Sequence, residues 1–147
     1  MEKQKEVAFM TRTTTMTRLD NWPNALNQYI GSVKDKKFEM GSFDCCIFVA
    51  GACKAITGED PMKEFRGKYN EDTYKDALKT IGAGSLYKTL VKTFGKSTHP
   101  AMGQRGDIAY LDGRIGVVTG RTAIFLYEEG FGIMNVLNVD RIFKVGR

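Results

Sequence analysis

Along the first part of the chain apolar residues return every three or four positions; beyond Pro100 the period shortens to that of strands. Residues 1–17 precede both regimes and are polar and threonine-rich, with Thr11, Thr13, Thr14, Thr15 and Thr17 around Met10 and Met16. They read as an extended or flexible arm, of a kind that orders against a partner. From Leu19 a helical stripe of Trp22, Leu26, Tyr29, Ile30 and Val33 begins, with Asp20 or Asn21 available to cap it and Pro23 tolerated in its first turn. The charged run Lys34, Asp35, Lys36 and Lys37 reads as a solvated connection.

The second helix is the most apolar. Cys45, Phe48, Val49, Ala52 and Ile56 form one stripe, and Cys46, Ala50 and Cys53 a second of small residues, so this helix is expected to be buried on most of its circumference, with Gly58 as its terminator. After it, Glu59-Asp60-Pro61 and Phe65-Arg66-Gly67-Lys68-Tyr69 read as loop, with Arg66 serving backbone carbonyls or a carboxylate and Gly67 making a turn. Two short helices follow over 72–81 and, capped by Ser85, up to Phe94. Strands are predicted at 107–111, 114–119, 123–127, 132–139 and 142–145, the first two joined at Asp112-Gly113. The expectation is an α+β domain: helices first, then an antiparallel sheet of about five strands.

Composition adds bounds. At 147 residues the chain is one domain, large enough to bury a core without staples. Its 22 Lys and Arg against 17 Asp and Glu leave a net charge of +5, but the basic residues are spread along the chain, so no nucleic-acid footprint is expected. Three cysteines, two of them adjacent and the third on the same helix, match neither a zinc spacing nor a disulfide framework; reduced thiols and synthesis in a reducing cytoplasm are expected. Lys3, Lys5 and Glu6 are followed by no apolar run of signal-peptide length, and no segment approaches the length of a membrane span.

The chemistry concentrates at Asp44-Cys45. A thiol on the first residue of a helix faces unpaired N–H groups and the positive end of the helix dipole, which favours thiolate, while Asp44 suits the N-cap. The bland alternative is that Cys45 is a small buried hydrophobe, as Cys46 and Cys53 are expected to be. The sole histidine, His99, lies in Ser97-Thr98-His99-Pro100; it is either a surface loop residue or, if that loop folds over the helix start, a base for Cys45.

Taken together, Arg18-Leu19-Asp20-Asn21-Trp22, Phe38 with Gly41, Asp44-Cys45 with Phe48, Thr57-Gly58-Glu59-Asp60-Pro61, Arg66-Gly67-Lys68-Tyr69, Arg105-Gly106-Asp107 and Ile115-Gly116-Val117 resemble the NlpC-type branch of the papain-like cysteine peptidases. Within it, the chain resembles a small phage family found among tail genes and carried as a domain of unknown function. The likeness runs from about Thr17 to Val145, so 18–147 is the implied domain and 1–17 an arm outside it. It implies a papain-like fold with the Cys-bearing helix packed centrally on the sheet, Cys45 in the nucleophile position, and a structural task for Asp107. It also implies a virion location in the tail, with other tail proteins as partners, peptidoglycan as a candidate substrate, and no metal or organic cofactor.

One departure bears on activity. Peptidases of this superfamily carry the catalytic His at the position occupied here by Arg114, and Met40 stands where close relatives often have Trp. An imidazole takes the thiol proton and returns it to the leaving amine; a guanidinium does neither, although its charge favours thiolate. Two readings stay open. One is a tail tip or hub protein, or a tail-assembly factor, on a degenerate peptidase fold, docked through residues 1–17. The other is a cysteine peptidase or amidase cutting peptidoglycan peptide stems, with Cys45 as nucleophile and His99 as an unorthodox base.

Overall fold

In the computed structural model, which describes residues 16–146, four α-helices precede a five-stranded antiparallel sheet, an α+β arrangement. Residues 1–15 of the expected arm lie outside the described residues, whereas Met16, at its end, is buried.

Helix α1 (Trp22–Val33) carries Pro in its first turn and buries Leu26 and Val33, with Trp22, Tyr29 and Ile30 packed against the same core. Helix α2 (Cys45–Thr57) is the hub: Phe48, Val49, Ala52, Cys53 and Ile56 are all within 2% of complete burial, as the two apolar stripes require. Asp44 caps its start by accepting from the Ile47 N–H at 2.9 Å, and Gly58, at φ 82°, ends it by donating to the Lys54 carbonyl. Tyr29 on α1 donates to the Phe48 carbonyl at 2.8 Å, joining the two helices.

Helix α3 (Tyr74–Thr80) is shorter than the apolar spacing suggests, because the Asn70 side chain accepts from the N–H groups of Asp72 and Thr73 and holds that stretch in a turn. Helix α4 (Leu86–Phe94) begins at Ser85, whose hydroxyl accepts from the Lys88 N–H. Between α2 and α3, Arg66 pairs with the Asp60 carboxylate at 2.6 Å, and Phe65 and Tyr69 point into the core.

The strands are β1 (Ile108–Leu111), β2 (Arg114–Val118), β3 (Thr122–Tyr127), β4 (Gly130–Asn135) and β5 (Arg141–Phe143), in the order β4-β3-β2-β1-β5. Two strands differ most from the sequence expectation. The fourth strand spans 130–135 rather than 132–139, and it stops at Asn135 because that side chain accepts from the Leu137 N–H and turns Val136–Asn138 into a 3-10 helix. The last strand spans 141–143 rather than 142–145, and Val145 turns its N–H towards the Asp107 carboxylate.

One face of the sheet, with Ile108, Ile115, Val117 and Leu126, packs on α2 and its neighbours. The other buries Ala109, Val118, Ala123, Phe125 and Ile142 with Val136 and Val139. Burial of these side chains, at about 1.5–3 kcal/mol for each large one, is the main force holding helices to sheet.

A buried ion cluster ties the chain ends to the sheet. Asp107, 1% exposed, takes Arg18 Nη2 at 3.1 Å and Lys144 Nζ at 2.9 Å, and also accepts from the N–H groups of Gln104 and Val145. Arg18 stacks over the Trp22 ring at 4.4 Å and donates to the carbonyls of Arg105 and Val145. The motifs around Arg18 and around Asp107, 89 residues apart, therefore form one structural unit.

Candidate functional site

The N-terminus of α2 opens into a cleft of about 220 Å³ whose lining includes Phe38, Met40, Cys45, Tyr74, Arg114 and Glu128. Its floor is set by Asp44. One carboxylate oxygen caps the helix; the other accepts from the Gly41 N–H at 3.0 Å and from the Tyr69 hydroxyl at 2.5 Å. Gly41 sits at φ 90°, and a Cβ there would fall 2.4 Å from the Tyr69 carbonyl oxygen, so only glycine lets the two loops approach this closely. Burial and the hydrogen bond to Asp44 push the Tyr69 hydroxyl far above its ordinary pKa, so it remains a donor.

Cys45 is partly exposed, whereas Cys46 and Cys53 are buried; all three are free thiols. The Cys46 thiol donates towards Cys45, which is the largest influence lowering the Cys45 pKa. An N–H from Ile115 and the Arg114 charge add to it, against burial and the Asp44 carboxylate, and the net direction is down. Cys46, as the donor and fully buried, is driven well above its usual value, and its sulfur lies 3.7 Å from the Tyr74 hydroxyl. Burial pushes Cys53 up to about 12. Cys45 is thus the thiol set up to ionise.

The structure brings Arg114 to this thiol's cleft and leaves His99 outside it. Arg114 opens β2 directly after the Asp112-Gly113 turn; its guanidinium lies 5.3 Å over the Tyr127 ring and 3.8 Å from Glu128. Thr98 bridges Ile142 on the outer side of β5, three strands from β2, so the His99 backbone lies at a lateral offset of roughly 14 Å from the strand that meets Cys45. The His99 ring turns instead to its own loop, Nδ1 accepting from the Ala101 N–H at 3.0 Å as the cap of a 3-10 helix at Pro100–Met102. The loop over 97–100 is held along the far edge of the sheet and not over the cleft.

A family model described as a domain of unknown function, DUF6950, matches residues 17–145. The chain belongs to this family. Comparisons with curated proteins and with solved structures each gave no match. Within the DUF6950 domain the sequence singled out Asp44, Cys45 and Arg114, and these share the cleft. It missed Tyr69, Tyr74 and Glu128, which other loops and strands deliver. The one available signal was Arg66-Gly67-Lys68-Tyr69, whose tyrosine reaches back 25 residues to Asp44.

Among the described residues no cluster of three or more His, Cys, Asp or Glu side chains could hold a metal ion, and no helix is long and apolar enough to cross a membrane. Chemically, the DUF6950 cleft offers a thiol biased towards thiolate and a guanidinium beside it. Amide cleavage at such a site also needs a proton delivered to nitrogen, which a guanidinium does not supply.

Proposed function

We propose that this DUF6950 chain is a structural or assembly component of a bacteriophage tail, at the tip or hub, built on an NlpC-type papain-like fold whose thiol lacks the imidazole partner of a peptidase. One observation carries the loss of catalysis: Arg114, and not an imidazole, shares the cleft with Cys45. The order of elements, a thiol-bearing buried helix followed by an antiparallel sheet, supports the papain-like reading. The tail assignment rests on the motif likeness of the sequence, and with it the virion location and residues 1–17 as the part that docks on a neighbouring tail protein.

The test is genetic. A phage carrying Cys45→Ala is expected to assemble and infect at wild-type efficiency, while one lacking this gene yields defective tails. Complete Cys45→Ala particles that bind cells and fail to infect would overturn the structural reading. Removing residues 1–15 is expected to lower incorporation into particles; equal incorporation would refute the docking arm.

The lowered Cys45 pKa favours a second reading, a cysteine peptidase or amidase acting on peptidoglycan peptide stems during infection. That reading needs a proton donor for the leaving amine other than His99.

A further inference from the structure

The two edges of the sheet are finished differently. On the β5 side, Thr98 and Ile142 exchange backbone hydrogen bonds at 2.8 and 2.9 Å, so the loop before the 3-10 helix covers that edge. On the β4 side, no backbone partner lies along the outer edge among the described residues. Open edges are normally blunted by a proline, a charge or a bulge. Gly130-Phe131-Gly132-Ile133-Met134-Asn135 has neither proline nor charge, and its register with β3 runs unbroken through all six residues. Ile133, at 69% exposure, is the most exposed large apolar side chain of the domain.

The ends of this edge carry opposite charges. Glu129, exposed, immediately precedes β4; Arg121, also exposed, lies at the other end, where its carbonyl accepts from the Val136 N–H at 2.9 Å. Neither has an ion-pair partner among the described residues, whereas Glu128 faces Arg114. An edge that is acidic at one end and basic at the other is complementary to itself when reversed.

We infer that β4 pairs antiparallel with β4 of a second copy of this chain about a two-fold axis, joining two five-stranded sheets into one. Opposed residues in such a pairing lie on the same face, so the register joins positions of equal parity. Centred on Ile133, it sets Ile133 against Ile133 of the other copy and Phe131 against Asn135, and it carries Glu129 of each copy towards Arg121 of the other. Six residues of edge span only about 20 Å, so the contact falls below the ~1,200 Å² of a standard stable interface and the dimer is weak and concentration-dependent. The surface lies outside the Cys45 cleft, and the inference stands whatever that cleft does.

Sedimentation velocity of the full chain from micromolar to millimolar concentration tests it. The wild type is expected to shift from monomer towards dimer. Ile133→Lys, at an exposed position, is expected to keep the circular dichroism spectrum and remain monomeric throughout. Glu129→Arg and Arg121→Glu are each expected to weaken the dimer, and the two together to restore it. A wild type monomeric at every concentration, a dimer that survives Ile133→Lys, or a charge exchange that fails to restore association would each overturn the inference.

Discussion

Asp44→Asn removes one charge and almost no volume, which makes it a sharp probe of the thiol-bearing helix. In the native site one carboxylate oxygen serves the Ile47 N–H and the other serves the Gly41 N–H and the Tyr69 hydroxyl. An amide has a single acceptor oxygen. If it keeps the helix cap, its NH₂ confronts two donors, one of them a tyrosine hydroxyl on a residue only 7% exposed. Stranding a buried donor costs about 1–3 kcal/mol, and a bond to a charged acceptor sits at the upper end of that range. Losing the Gly41 contact adds about 1 kcal/mol. The expected destabilisation is therefore about 3 kcal/mol, or roughly 6–12 °C in Tm for a domain of this size.

Tyr69→Phe completes a double-mutant cycle. Alone it removes the hydroxyl and is expected to cost about 1–2 kcal/mol; in the Asp44→Asn background it should cost clearly less, because the bond is already gone. Urea unfolding of the four proteins measures all the terms. A loss below about 1 kcal/mol for Asp44→Asn, or additive single effects, would refute the view that Asp44 locks the Tyr69 loop to the start of α2.

Asp107→Ala is expected to destabilise by about 3–5 kcal/mol, since it leaves Arg18 and Lys144 converging on a site without a carboxylate; an unfolding midpoint in urea close to wild type would contradict this. In the folded protein iodoacetamide should label Cys45 and spare Cys46 and Cys53, with mass spectrometry of the digested protein as the readout. Because the Cys45 pKa is lowered, its alkylation rate should reach half-maximum below the ordinary thiol value of about 8.5. Arg114→Gln should move that midpoint up, as one of the influences stabilising thiolate is removed; an unchanged profile would show that the Cys46 and Ile115 hydrogen bonds suffice.

What was legible in the sequence was local. Asp44 before an apolar helical run, Gly58 after it and Asp112-Gly113 between two alternating runs each state their own conformation, and the helices and all five strands followed from such signals. What was not legible depends on pairing across the fold. The fourth strand ends early because Asn135 caps a 3-10 helix, an option that apolar alternation conceals. His99 could be drawn to Cys45 on paper, yet Thr98 bonds to Ile142 and fixes the loop on the opposite edge. Likewise Tyr69 meets Asp44, and Arg18 meets Asp107, only because Gly41 and the sheet bring distant loops together. The capped thiol at the start of α2 could be read from its neighbours in sequence; the rest of its cleft could not.

The most direct test of the proposal that this thiol cleft does not catalyse is hydrolysis itself. Full-length protein and its Cys45→Ala variant, incubated with purified peptidoglycan and followed by mass spectrometry of the soluble peptides, should both release nothing above a protein-free blank. Release of stem peptides by the wild type that disappears in Cys45→Ala would contradict the proposal and make this domain a working cysteine hydrolase.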